Sequence, residues 1–234
     1  MIALGLDTSS MSGSVALVSA DGSLRAQLAV SAGLTHSERL LPGVRSLLDA
    51  AAVQLERIDL FSVAAGPGSF TGLRIGMAAA KGLALACGRP LTGFSTLEAI
   101  ALACAPWAGG APPRPVCVLM DAGRGEVYRG LYRASQGGMQ ALAPDAALPP
   151  EAAVAPLAQL EEPCLVCGDG LAAHRSRLAP LVPEGSVLVE GSLPIAETLA
   201  RMALDVARSR GLDALPVMTP HYLRVSDAER TWRG

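Results

Sequence analysis

Residues 2–18 are IALGLDTSSMSGSVALV: an apolar run, the polar stretch Asp7-Thr8-Ser9-Ser10, a Gly and Ser segment, and a second apolar run from Val15. Two short apolar runs around a polar reversal predict a pair of antiparallel strands with Asp7 at the end of the first. Asp21-Gly22 marks a further reversal before 24–30, so three antiparallel strands are expected to open the chain. Residues 116–132, VCVLMDAGRGEVYRGLY, repeat the strand, Asp, turn, strand plan, with Asp121 falling about 114 residues after Asp7. A duplicated α/β unit, and hence two related domains, is the economical reading.

Between the two copies the apolar period changes. Over 35–52, Leu40, Leu41, Val44, Leu47, Leu48 and Ala51 recur at spacings of three and four, as an amphipathic helix requires. Thr35, with Glu38 three residues on, forms a capping box at its start. Residues 58–65 form a short apolar strand that runs into GPGSFTG (66–72), and a helix is expected to begin near Ser69 and continue to 86. That helix keeps Gly72, Gly76 and Gly82, each costing about 1 kcal/mol relative to alanine. Gly72, Gly76 and Ala80 lie four apart on one face, where another backbone can approach closely: either the protein's own sheet or a helix of another molecule.

A strand at 91–94 and a helix at 96–104 complete the expected first domain, followed by a Pro/Gly-rich linker at 106–115. The Ala- and Pro-rich segment 141–163 reads as a peripheral excursion, 165–167 as a strand, and 195–210 as a helix stopped by Gly211 that packs back on the first domain. The expected organisation is 1–105 plus 194–215 as the N-terminal domain, 106–193 as a smaller C-terminal domain, and 216–234 as a tail.

Composition narrows the function classes. The chain has 234 residues, 50% of them hydrophobic, and a formal net charge of -2. A lone nucleic-acid binder needs a concentrated basic surface, and none is visible here. Of 19 basic residues only Lys81 is lysine. No run of 18 or more apolar residues is free of charges and turn formers, so no membrane span is expected. Met1 to Asp7 lacks the basic region of a signal peptide, and five scattered cysteines fit reduced thiols, so a cytoplasmic chain is expected. Cys164 and Cys167 have CxxC spacing without a second pair, and His36, His174 and His221 supply no zinc pattern.

Each candidate motif has a plain alternative. The 66–72 segment resembles a phosphate loop at a strand-to-helix junction, yet it lacks the terminal Gly-Lys-Ser/Thr of a P-loop and has Thr71 where a dinucleotide loop needs glycine; anion binding and a structural junction both stay open. Ser69 lacks the G-x-S-x-G context of a hydrolase nucleophile. Asp7 and Asp121 at matching strand ends suit either a metal or phosphate site, with Thr8 and Ser9 beside Asp7, or turn-capping carboxylates.

Five segments in order, IALGLDTS (2–9), HSERLLP (36–42), GPGSFTGLRIG (66–76), DAGRGEVY (121–128) and YLR (222–224), together resemble the bacterial TsaB family, also called YeaZ. The resemblance implies the actin, sugar kinase and Hsp70 type of fold: two duplicated ribonuclease H-like domains, each a mixed sheet flanked by helices. It further implies a part in forming N6-threonylcarbamoyladenosine at position 37 of tRNAs that read codons beginning with A. In that family the chain is not the catalyst but the partner of TsaD, which transfers the threonylcarbamoyl group, with the ATPase TsaE joining the pair and tRNA met only through the complex. TsaD-like proteins carry two metal-ligating histidines four residues apart. In GFSTLEAI (93–100) Thr96 and Ile100 stand in their place, and isoleucine coordinates nothing.

The resemblance and the glycine ridge together predict a docking surface for TsaD, or for a second copy of the chain, on the 35–52 and 69–86 helices. Its expected members are His36, Arg39, Leu40, Val44, Phe70, Gly72, Leu73, Arg74, Ile75, Gly76, Met77 and Ala80. A bulky residue at Gly76 would then abolish the complex and spare the fold. No catalytic residue, metal or cofactor is expected, and Asp7, Thr8, Ser9 and Asp121 are a vestigial nucleotide or phosphate site. The competing expectations are an ATP-dependent phosphotransferase that uses Asp7 and Asp121, or a metalloprotease-like enzyme, which needs the absent histidine pair.

Overall fold

Strands β1 (Ile2–Asp7), β2 (Ser12–Ser19) and β3 (Leu24–Ser31) form the expected antiparallel meander, with Leu4 opposite Leu17 and Asp7 opposite Ser14. The computed structural model describes residues 1–31, 36–109, 113–135 and 138–224. β4 (Leu60–Gly66) lies parallel to β1, and β5 (Leu91–Ser95) parallel to β4, giving the order β3-β2-β1-β4-β5. Parallel neighbours cannot be joined by a tight turn, so helices α1 (His36–Ala50) and α2 (Phe70–Cys87) supply the crossovers. Thr35, the expected cap of α1, lies outside the described residues.

After α3 (Thr96–Ala108) the plan repeats. β6 (Val116–Gly123), β7 (Glu126–Ser135) and β8 (Gly138–Leu148) run antiparallel, and β9 (Leu165–Gly168) and β10 (Val187–Glu190) add parallel strands on the other side of β6. The order β10-β9-β6-β7-β8 is that of the first sheet with each strand replaced by its counterpart. This is the duplicated ribonuclease H-like arrangement of the actin, sugar kinase and Hsp70 type. Helices α4 (Pro150–Val154), α5 (Asp169–Leu178) and α6 (Ala196–Arg210) complete the chain.

The chain divides into one unit of Met1–Thr96 with Pro194–His221 and another of Leu97–Leu193 with Tyr222–Gly234. In the first unit Leu4, Leu6 and Leu17 pack with Leu40, Val44 and Leu47 of α1 and Leu73 and Met77 of α2. The opposite face is covered by α6, so close that a Cβ on Gly5 would lie 1.9 Å from the Ala196 carbonyl oxygen. Small residues on both sides, Gly5 against Ala196 and Ala200, let helix and sheet meet at backbone distance.

Three segments differ from the sequence expectation. Residues 141–163 are not an excursion: 138–148 form β8, and Pro150, Ala153, Val154 and Leu157 are buried, the last three in the second unit's core. Alanine-rich strands with a proline carry no β signal, and β8 is an edge strand with two register shifts opposite it. The units also part elsewhere than expected: α3 goes with the second unit from Leu97 on. Residues 216–221, expected as tail, belong to the first unit.

Candidate functional site

The β1–β2 turn is built as a lock for the start of α2. Asp7, 1% exposed, accepts hydrogen bonds at Oδ1 from the Ser9 amide (2.9 Å) and the Ser9 hydroxyl (2.6 Å). Thr8 Oγ1 donates to the Gly72 carbonyl at 2.7 Å, and the Ser69 amide donates to the Ser9 carbonyl at 2.7 Å. Ser69 caps the helix by accepting from the Gly72 amide at 3.2 Å. These bonds bring Asp7, Thr8 and Ser9 together in one buried turn under α2. Asp121 occupies the corresponding turn of the second unit, exposed, where its Oδ1 accepts from the Gly123 amide and its own amide donates to Asp169 Oδ1.

This geometry decides what the glycine ridge is for. A Cβ at Gly72 would lie 2.1 Å from the Thr8 carbonyl oxygen, and one at Gly76 2.2 Å from Thr8 Oγ1. The ridge therefore exists to let α2 settle on its own sheet, and the intermolecular reading of Gly72, Gly76 and Ala80 is corrected. Leu40, Val44, Leu73 and Met77 are corrected with them, since all four are buried in the first unit's core. The helical period alone leaves both readings open, because an apolar face keeps the same spacing whether it meets its own sheet or another molecule.

The other face of the two helices is open. Arg39 and Leu41 of α1 are exposed, and Arg74 of α2 stacks its guanidinium carbon 3.8 Å from the centroid of the half-buried Phe70 ring. Ile75, at the margin of this face, is half-buried and packs against the first unit's core. His36 opens α1, and its side chain lies outside the described residues. Sequence reasoning missed the rest of this face: Ala78, Lys81, Gly82, Leu85 and Ala86 are all exposed, Leu85 at 80%. A Cβ on Gly82 would meet nothing within 4 Å, so packing inside the unit does not demand that glycine. The signal lay in the helix being apolar on both faces; α2 is long and apolar enough to satisfy the composition of a membrane span, yet its Gly72, Met77 and Ala84 side is packed on the sheet.

Elsewhere the quoted motifs hold one another. Arg224 donates through Nη1 to the Ala122 carbonyl at 3.0 Å and to Glu126 Oε2 at 3.1 Å, tying YLR to the DAGRGEVY hairpin. All five cysteines are free thiols. Burial pushes the Cys117 thiol up to about 12 and raises that of Cys164, while a hydrogen bond with Cys104, then burial, raises Cys167. Protonated thiols are poor metal ligands and poor nucleophiles. Among the described residues no group of three or more His, Cys, Asp or Glu is disposed to hold a metal ion. Thr96 and Ile100 are buried at the start of α3.

Comparison with known proteins agrees with this anatomy. The TsaD family model, described as tRNA N6-adenosine threonylcarbamoyltransferase, matches residues 30–232. The chain is 29% identical to the tRNA threonylcarbamoyladenosine biosynthesis protein TsaB of Bacillus subtilis (strain 168), over 99% of this chain and 98% of that protein. It is 32% identical to the protein of the same name from Escherichia coli (strain K12), over 94% of each. The solved structure of YeaZ from Pseudomonas aeruginosa superposes with a TM-score of 0.72 at 35% identity, covering 92% of this chain and 98% of that one.

Proposed function

The chain belongs to the TsaB family, whose named members are tRNA threonylcarbamoyladenosine biosynthesis proteins, and on that premise we propose that it works as the non-catalytic partner of TsaD. In this reading it supports the formation of N6-threonylcarbamoyladenosine at position 37 of tRNAs reading codons that begin with A, in the cytoplasm, with TsaE joining the pair and tRNA reached only through the complex.

The observation that carries the proposal is the outer face of α2. A glycine in an exposed helix interior costs about 1 kcal/mol, and Gly82 has no reason within its own unit. Beside it Ala78 and Ala86 keep the surface low and Leu85 projects a large apolar side chain into solvent. A low apolar stripe with one projecting leucine suits close packing by a partner helix, and Arg39, Arg74 and Lys81 supply a charged rim. Such a surface, with Leu41, Phe70 and Ile75 included, suits a standard interface of about 800 Å² per partner. A second copy of the chain takes the same face when TsaD is absent.

The non-catalytic half of the proposal is supported by chemistry. Isoleucine at position 100 has no donor atom, and the buried cysteines are held protonated. The turn that would cradle a phosphate in a kinase of this fold is engaged with α2 through Thr8 and Ser9. Reconstitution with purified TsaD, TsaE, ATP and unmodified tRNA tests the reading. Modification is expected only when this chain is added to TsaD; full modification without it, or modification by this chain alone, would refute the role.

A further inference from the structure

We infer that residues 216–221 are a positioning strap for α2, whose docking onto β4 and β5 sets the loop from which the helix starts. Four observations converge on it. Buried Thr92 of β5 donates through Oγ1 to the Pro216 carbonyl at 2.8 Å. Met218 packs against the first unit's core, over Gly93, where a Cβ would lie 3.1 Å from Met218 Cγ. The His221 amide donates to the Ala65 carbonyl at 2.7 Å. Gly66 has a φ of +116°, and a Cβ there would lie 2.3 Å from the His221 carbonyl oxygen. Two glycines thus make room for the strap, one of them at the first residue of the GPGSFTG loop.

The strap is held by few groups and is open on its outer side, where Val217 is 85% exposed. Pro216 and Pro220 fix two φ angles, which lowers the entropy lost on docking. A segment with few buried contacts opens at lower free energy than the core beneath it. Its grip falls on Ala65 and Gly66, three residues before the N-cap Ser69. Undocking therefore frees the loop that aims α2, and strap docking and partner docking become linked equilibria. This linkage rests on the proposed docking role of α2, whereas the grip on the loop does not.

Hydrogen exchange read by mass spectrometry on the full-length chain tests both parts. Met218→Asp puts a carboxylate where the strap meets the core. At least tenfold faster amide exchange is expected in residues 66–77, with α5 unchanged, together with at least tenfold weaker TsaD binding. Faster exchange confined to 216–221, with 66–77 unaltered, would overturn the strap whatever happens to binding. Faster exchange at 66–77 with unaltered TsaD affinity would overturn the linkage. If Met218→Asp unfolds the first unit, Thr92→Val removes only one hydroxyl donor and is expected to speed the same 66–77 amides to a smaller degree; no change there would overturn the proposal. Failure of the wild-type chain to bind TsaD contradicts the docking role and leaves the exchange result to judge the strap alone.

Discussion

Gly76 and Gly82 occupy one helix and look alike in the sequence, yet their environments are opposite. A side chain at Gly76 strikes Thr8, a residue buried under the helix, whereas one at Gly82 enters open space. Gly76→Val is therefore expected to destabilise the first unit by about 1–3 kcal/mol, the ordinary cost of overpacking a filled site. Gly82→Ala is expected to stabilise the isolated chain by roughly 0.5–1 kcal/mol through better helix propensity. Urea unfolding of both variants checks the pair, and equal midpoint shifts would contradict the assignment. The difference was not legible beforehand, because it depends on where Thr8 lies in three dimensions and not on the helix itself.

Glu98 offers a test by pH. Burial, then the charge of Asp145, raises its carboxyl above the usual range. The folded chain then holds the proton more tightly than the unfolded one, so stability is lost as pH climbs from the unfolded glutamate value of about 4.3 through the raised folded value. Glu98→Gln removes that loss, and its urea midpoint relative to wild type is expected to rise across this window. A difference constant with pH would show that Glu98 titrates normally.

Helix α2 illustrates how far an element could be read. Its start at Ser69, its length and its small-residue ridge follow from glycine placement and capping chemistry, and α1 follows from its period of three and four. Which of two apolar faces meets the sheet did not follow, since both satisfy the same periodicity. β8 and α4 escaped for another reason: alanine and proline at 141–155 signal no period, the pairing of β8 is set by β7, and the burial of α4 comes from β7 and α5. Lys81 gives the element its own experiment. It is the sole lysine and sits exposed on the outer face of α2, so an amine-reactive acetylating reagent labels one side chain only. Labelling is expected to fall at least fivefold in the presence of TsaD, and an unaltered rate would place the partner elsewhere.

The molecule repeats one design, three antiparallel strands followed by two parallel ones, and that repeat was visible because hairpins write their signature locally: polar turn, apolar run, polar turn. The boundary between the units was less legible. α3 joins the second unit and the segment after α6 joins the first, choices made by long-range packing that no local composition marks. The same holds for function. The motifs pointed to the family, while the placement of α2 separated residues that build the core from residues that lie exposed on its outer face.

The central claim is that the exposed stripe of α2 is a docking surface and not a part of the fold. Isothermal titration of TsaD with wild-type chain and with Leu85→Asp tests it directly. Leu85 is 80% exposed, so the substitution is expected to cost about 1 kcal/mol of stability through helix propensity and the helix dipole while weakening association at least tenfold. Equal affinity of the two chains for TsaD, with both folded, would contradict the account.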